Sequence, residues 1–308
     1  MRILITGSRG FLGSSFGLFA ARAGHEVLGI GRSSSAVAGW SAPYIQTDVA
    51  TSDLSGVVKD FVPDVVLHAA GSASVANSLF APQDDFRATV TTCANVLDSI
   101  RRSGTKPLII LPSSAAVYGN PIGLPINEGA RPLPISPYGF HKYTCEVLAN
   151  EYAKCFSQRI AVCRLFSVFG PRQRRLFVWE VFDQARSNNS SIELQGTGQE
   201  LRDYLHVDDV TGVMLQLAAS STPNDCGKSL TVNVGSGCGI QVIQVAELIR
   251  QLVAPTKAIF CRGERRSGDP QSWQADISRL LSLAPNWQHR PFTERLTECV
   301  SEWMGEAY

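Results

Sequence analysis

Ser114, Tyr138 and Lys142 are the residues of this chain whose types and spacing suit proton transfer to and from a hydroxyl group. Tyr138 and Lys142 stand four apart in Tyr138-Gly-Phe-His-Lys142, at the start of a stretch, 138–157, that reads as a helix. Side chains four apart on a helix lie one above the other, so these two share a face. A phenol is a poor base at neutral pH. An ammonium group beside it favours the phenolate. Ser114, in Ser113-Ser114-Ala-Ala-Val-Tyr118-Gly119, follows a strand predicted over 108–112. A hydroxyl at that strand end can hold a substrate oxygen while Tyr138 moves its proton. The Tyr-x-x-x-Lys spacing recurs by chance in many helices, so its weight rests on what surrounds it.

The elements that must position these groups begin at the N-terminus. Residues 2–6 predict a short buried strand, and Gly7, Gly10 and Gly13 follow at a spacing that lets backbone turn sharply and approach a diphosphate. An apolar stretch, 11–23, continues as a helix whose N-terminus faces that phosphate. Further strands are expected at 26–30, 44–46, 64–68, 108–112 and 160–166, and further helices at 53–61, 83–103 and 138–157. That alternation predicts an α/β fold, a Rossmann-type doubly wound parallel sheet. Beyond about residue 170 the rhythm loosens into short strands, glycine turns and helices near 175–187, 209–219, 241–253 and 292–304. Residues 1–168 are therefore expected to bind the dinucleotide, with later segments returning to that domain. Residues 169–308 are expected to form mainly a smaller substrate lobe.

Composition narrows the partners. Of 308 residues, 44% are apolar and 18% charged, with a net charge of +1, an ordinary balance for a globular protein that gives no reason to expect nucleic acid. Eight cysteines are scattered without C-x-x-C or Cys/His clustering, which argues for mostly buried, reduced thiols of a cytoplasmic protein, with no zinc framework and no metal. No signal peptide and no membrane-length apolar run is evident.

With these motifs assembled, the chain resembles the extended short-chain dehydrogenase/reductases that act on nucleotide sugars, the group that includes UDP-galactose 4-epimerase. The resemblance runs essentially end to end. It is carried by Thr6-Gly7-x-x-Gly10-x-x-Gly13, Asp48, His68-Ala69-Ala70-Gly71, Ser113-Ser114-x-x-Val-Tyr-Gly, Tyr138-x-x-x-Lys142, Arg164-Leu-Phe-Ser167-Val-Phe-Gly-Pro171, Arg202-Asp203-Tyr-x-His206-Val-x-Asp209 and Arg266-x-Gly-Asp269. It implies Ser114, Tyr138 and Lys142 as the catalytic trio. It implies a cofactor, NAD or NADP, lined by Gly7, Arg9, Gly10, Phe11, Leu12 and Gly13, by Arg32, Asp48 and Val49, and by His68 to Gly71, with Tyr138 and Lys142 at its reacting end. For the nucleoside-diphosphate sugar it implies Ser114, Ser167, Arg202, Arg266, Asp269 and Trp273, the last lining the wall beside the sugar's C2. A homodimer through 83–103 and 138–157 is also implied. His141 and His206 are expected to be structural, Asp208 and Asp209 helix caps or dipole partners, and Arg172 to Arg175 a solvated rim.

Departures from the family pattern refine this expectation. Where NAD-preferring members end the second strand in an acid, Val27-Leu-Gly-Ile-Gly31-Arg32-Ser-Ser-Ser35 has glycine followed by arginine. Losing a carboxylate and gaining a guanidinium suits a 2′-phosphate, with Arg9 as a second cation, so NADP is favoured. Ser167 replaces the family's Asn, and an Asn expected after His-Ala-Ala-Gly is missing around Ala88 and Thr89. The Thr-Asp-Glu of dehydratases is absent at Ser114-Ala115-Ala116, which argues against 4,6-dehydration. The expected activity is 4-epimerisation through a 4-keto sugar. Its rivals are one-way NADPH-dependent reduction of a 4-keto-6-deoxy sugar and a non-catalytic regulatory protein that binds the dinucleotide. If Arg32 meets a 2′-phosphate, Arg32→Ala weakens NADP binding by roughly ten- to a hundredfold and barely alters NAD. Titration of both cofactors checks this, and equal wild-type affinities would remove the NADP preference.

Overall fold

The computed structural model describes residues 1–220, 227–264 and 268–305. Its first half comprises β1 (Arg2–Thr6), α1 (Phe11–Arg22), β2 (Glu26–Gly31), β3 (Tyr44–Gln46), α2 (Ser55–Phe61), β4 (Val65–His68), α3 (Val75–Phe80), α4 (Pro82–Phe86), α5 (Thr92–Ser103), β5 (Leu108–Ser114), α6 (Pro137–Phe156) and β6 (Arg159–Leu165). Next come β7 (Ser167–Phe169), α7 (Phe177–Arg186), β8 (Ser191–Leu194), β9 (Leu201–His206), α8 (Val207–Ala219) and β10 (Leu230–Val234). The chain continues through β11 (Gly239–Gln241), α9 (Val242–Val253), β12 (Ala258–Cys261), α10 (Ser278–Leu283) and α11 (Phe292–Gly305).

Seven strands form one sheet in the order β10-β6-β5-β4-β1-β2-β3, and every pairing in it is parallel. The expected doubly wound sheet is thus found. Its strands are continuously apolar because both faces are covered. Ile3, Ile5, Leu67 and Ile110 pack with Val210, Val213 and Met214 of α8 on one side. Leu4, Val66, Ile109 and Val162 pack with Val96, Leu97 and Ala149 of α5 and α6 on the other. The winding reverses between β1 and β4, which opens a crevice at the carboxyl ends of those two strands. A three-stranded sheet, β11-β9-β7, and a two-stranded one, β12-β8, lie outside this layer. They contribute to a separate core around Phe169, Phe182, Val245 and Trp303. Among the described residues no helix is long and apolar enough to cross a membrane.

The helix expected over 83–103 is broken. α4 ends at Phe86, a π-helical turn occupies Arg87–Thr91, and α5 starts at Thr92. The hydroxyl of Thr92 donates to the Arg87 carbonyl at 3.1 Å, and the Cys145 thiol donates to the Thr89 carbonyl, so side chains add donors to carbonyls that the Thr92 N–H also serves in the wider turn. A short helix not expected from the sequence, α3, precedes it, capped by Ser74 and cut short before Pro82.

The segment joining β2 to β3 is keyed into the domain by Trp40. A Cβ on Gly17 would lie 2.3 Å from the Trp40 ring, and one on Gly29 would lie 2.7 Å from it. Alanine is favoured over glycine in a helix interior by up to about 1 kcal/mol. Overfilling a packed contact costs about 1–3 kcal/mol, so sterics decide and glycine stands within α1.

Candidate active site

The cradle at the β1–β4 crevice is built from backbone. Gly7 takes φ +70°, and a Cβ there would lie 2.5 Å from the Ala70 nitrogen. A Cβ on Gly13 would lie 2.4 Å from the Gly7 carbonyl oxygen, so the first turn of α1 sits directly against the loop after β1. α1 starts after Gly10 with no side-chain cap and no acid in its first turn, which leaves its positive end available to an anion. This cradle fits the diphosphate of a dinucleotide.

Around it lie the other residues expected to line the cofactor. Phe11 and Leu12 open α1, and Ala69, Ala70 and Gly71 continue from β4. Asp48 is exposed and accepts from the Ala50 N–H at 3.0 Å, while Val49 is buried. Arg32 is exposed and, among the described residues, its side chain has no polar partner, whereas the Arg9 guanidinium donates to the Ser35 carbonyl at 2.7 Å. Arg9 therefore braces the loop that carries Arg32. A Cβ on Gly31 would lie 2.8 Å from the Tyr44 hydroxyl, so an acidic side chain at that position requires Tyr44 to move. His68 is buried with Nδ1 2.7 Å from the Thr6 hydroxyl, so its ring ties β4 to β1.

Ser114, Tyr138 and Lys142 converge where β5 meets α6. Ser114 ends β5, and its hydroxyl accepts from the Ala116 N–H at 3.1 Å while retaining its own proton to donate. Ser136 caps α6 and Pro137 occupies its first turn, so Tyr138 is held at the helix start. The Tyr138 N–H donates to the Ser78 hydroxyl of α3 at 3.0 Å. Lys142 donates to the Pro112 carbonyl at 3.0 Å, and its Nζ lies 5.8 Å from the centroid of the Tyr138 ring. The shared helical face expected from the spacing is present.

The second lobe contributes a wall. Trp273 is buried, its indole N–H donates to the Gly119 carbonyl at 3.0 Å, and its ring meets Phe166 edge-on in a cluster that Tyr138 packs against. The Arg202 guanidinium lies 5.4 Å over the Trp273 ring and donates to the carbonyls of Leu201, Gln271 and Pro270. Burial lowers the Arg202 pKa, and the Asp269 carboxylate is among the groups opposing that shift. Ser167 is half-buried at the start of β7. The fold therefore brings Arg202, Asp269 and Trp273 together, whereas Arg266 lies outside the described residues.

Other expected structural groups resolve clearly. His206, not Asp208 or Asp209, caps α8, accepting from the Asp208 N–H; the two aspartates occupy the first turn, and Asp209 pairs with Arg295 at 2.9 Å. His141 pairs with Asp85 at 2.5 Å. Arg172 donates to the Ala38 carbonyl, and Arg174 stacks on Trp179. The cysteines are less uniformly buried than expected: Cys93, Cys145, Cys163 and Cys299 are buried, Cys155, Cys238 and Cys261 are exposed, and Cys226 lies outside the described residues. Sequence reasoning missed Asp203, whose buried carboxylate accepts from the Ser236, Gly237 and Ala275 N–H groups and the Ser236 hydroxyl. It also missed Glu146, which stands one helical turn beyond Lys142, the same spacing that singled out Lys142 itself.

The chain belongs to the NAD dependent epimerase/dehydratase family, whose profile matches residues 3–235. It is 29% identical over 300 residues to the UDP-glucose 4-epimerase of Mycolicibacterium smegmatis, covering 94% of this chain and 93% of that one. Its fold superposes on MoeE5 in complex with UDP-glucose and NAD with a TM-score of 0.88 at 26% identity, covering 100% of both chains. It superposes on the UDP-glucose 4-epimerase of Thermotoga maritima with UDP-glucose at 0.89 and 25% identity, again covering 100% of both.

His68 generates a pH prediction. Burial, followed by the nearby Lys142 charge, drives its pKa from 6.5 down to about 3. The unfolded chain therefore takes up this proton first. Stability present above 6.5 is lost as the pH falls from there towards 3, at up to about 1.4 kcal/mol per pH unit for the one proton. Urea unfolding at pH 7, 6 and 5 should show this loss, and His68→Asn should flatten the slope by about one proton. Equal slopes would rule out a neutral buried His68.

Proposed function

We propose that the protein is an NAD(P)-dependent 4-epimerase of a nucleoside-diphosphate hexose, with Ser114, Tyr138 and Lys142 as its catalytic residues. The observation that carries this reading is the juxtaposition at the end of β5: the Lys142 ammonium stands 5.8 Å from the Tyr138 ring, and Ser114 ends the strand that Lys142 grips at Pro112. Two full-length structural neighbours, MoeE5 and the Thermotoga maritima UDP-glucose 4-epimerase, are complexes with UDP-glucose, which supports a UDP-hexose as the substrate.

The cradle of Gly7, Gly10 and Gly13 holds the dinucleotide diphosphate with the N–H groups opening α1 at Phe11 and Leu12. Asp48 and Val49 stand at the adenine end, and His68, Ala69, Ala70 and Gly71 line the floor. Once bound there, the nicotinamide supplies an acceptor and later a donor of hydride at the sugar's C4. Tyr138 takes the proton of the C4 hydroxyl, the Lys142 charge stabilises the resulting phenolate, and Ser114 donates a hydrogen bond to the C4 oxygen. The 4-keto sugar turns over in the pocket, so that the returning hydride would reach the opposite face of C4, and Tyr138 gives the proton back to the C4 oxygen. Arg202, Arg266, Asp269 and Ser167 hold the nucleoside diphosphate, which anchors one end of the substrate while the sugar turns.

Two finer features belong to the same proposal. Arg32 just after β2, with Arg9 bracing its loop and glycine rather than an acid at position 31, where a side chain would displace Tyr44, favours NADP over NAD. Phe140, Tyr143 and Val147 are exposed apolar residues at helical spacing on α6, and that face supports a homodimer through α5 and α6.

Interconversion of UDP-glucose and UDP-galactose, followed with either cofactor added, tests the activity directly. Tyr138→Phe should retain the fold and the cofactor and lose at least about a thousandfold in turnover. A variant that keeps a tenth of wild-type activity would end the assignment of Tyr138.

Trp273 sets the sugar class. Its ring is held by the Gly119 carbonyl and by Phe166, so it cannot swing away from an acetamido group at C2. The wild type should favour plain hexose donors over N-acetylhexosamine donors by kcat/KM, and Trp273→Gly should narrow the difference. A wild type that prefers the N-acetylated sugar would show that Trp273 only fills the core.

A further inference from the structure

Behind the proposed catalytic trio lies a buried charge pair that the reaction itself does not use. Glu146 and Arg164 are 7% and 6% exposed in their side chains and are joined by an N–O contact of 2.7 Å. Taking two such charges out of water is costly, and hydrophobic residues of similar volume commonly stabilise a fold at least as well. Stability alone is therefore a weak account of the pair. Its connections point elsewhere.

Glu146 stands one turn beyond Lys142 on α6, so the two reach the end of β5 from the same helical face. Lys142 takes the carbonyl of Pro112, and Glu146 accepts from the hydroxyl of Ser113 at 2.5 Å. Consecutive residues of β5, ending one short of Ser114, are thus gripped by consecutive turns of α6. Arg164 extends the grip to the far side of Ser114. Its guanidinium makes three contacts to the Glu146 carboxylate, at 2.7, 3.0 and 3.3 Å, and donates to the Tyr118 hydroxyl at 2.9 Å. Tyr118 closes the 3-10 turn that Ser114 opens, and its own hydroxyl donates to Asn233 of β10 at 2.6 Å. The strand before Ser114 and the turn after it are both tied to one carboxylate on the helix that carries Tyr138 and Lys142.

We propose that the Glu146–Arg164 pair is a positioning device that fixes Ser114 relative to Tyr138 and Lys142. The proposal rests on the catalytic reading of those three residues. A carboxylate can accept from Ser113 and from both edges of the Arg164 fork together, and no neutral side chain of that size offers as many acceptor sites. The whole network is closed by charge-assisted bonds within a dry interior, where loss of one partner loosens the rest. Displacements on the scale of 1 Å suffice to cost about a hundredfold in rate when reacting groups must be aligned.

The test separates positioning from stability. Glu146→Leu with Arg164→Met removes both charges together, so the double variant avoids an unpaired buried ion and should melt close to the wild type. Glu146→Gln, which retains an acceptor for Ser113, serves if the double variant does not fold. In holoenzyme well below the melting temperature, either variant should show kcat reduced by about ten- to a hundredfold, with KM for the UDP-hexose within about threefold of wild type. Amide exchange at residues 113–118 and at the start of α6 should also accelerate in the same variant. A folded variant with wild-type kcat, or with unchanged exchange at those amides, would overturn the proposal. A wild type inactive on UDP-hexoses would overturn the catalytic reading instead, and the exchange experiment would still decide whether the pair positions Ser114.

Discussion

The structure depends on a contact between two pieces of backbone that no side chain could be allowed to enter. The loop after β1 passes so close to the loop after β4 that a Cβ on Gly7 would fall 2.5 Å from the Ala70 nitrogen. α1 starts against the same loop, with Gly13 under the Gly7 carbonyl. This double approach opens the crevice at the reversal of strand order and aims the positive end of α1 into it. The groups proposed for proton transfer then need only to be delivered to the same edge of the sheet by the elements further along, which β5 and α6 do. The proposed cofactor site and reaction site are therefore neighbours by topology.

Most of this was legible in the residues because the controlling signals are local. Gly7, Gly10 and Gly13 declare a turn and a close approach, uninterrupted apolar runs such as Val65 to Leu67 declare strands covered on both faces, and the four-residue step from Tyr138 to Lys142 declares one helical face. The break within 83–103 was not legible, because it is set by Thr92 reaching back to Arg87 and by the thiol of Cys145, which arrives from another helix. The same holds for Asp203. Its neighbours in sequence suggest a substrate motif, but its carboxylate serves amides more than thirty residues away, at Ser236, Gly237 and Ala275. His206 took the capping role expected of the adjacent aspartates because its ring nitrogen reaches the Asp208 N–H and Asp209 is drawn instead to Arg295.

Beyond β10 and α8, which join the main sheet and its core, the later half of the chain meets the first through specific hydrogen bonds. Trp273 reaches Gly119 with its indole N–H while carrying Arg202 on its face, and Ile126 exchanges backbone hydrogen bonds with the segment at Gln274 and Asp276. Asp203 anchors that same segment from below at Ala275. The wall opposite Tyr138 is in this way fixed at three points, by an indole, a strand-like pair and a buried carboxylate. A pocket closed by such a wall is defined by hydrogen-bond geometry rather than by loose apolar packing, which restricts the shapes it accepts.

Trp40 lodged against Gly17 and Gly29 has a consequence for descent. The ring fills space that exists only while both glycines remain, and the glycines leave a void once the ring is gone. No one of the three can drift alone without either a collision or a cavity, although each lies in a different element. Among sequences related to this one, the three positions should therefore be inherited as a unit, appearing together or being replaced together. The length and course of the β2–β3 segment should follow them.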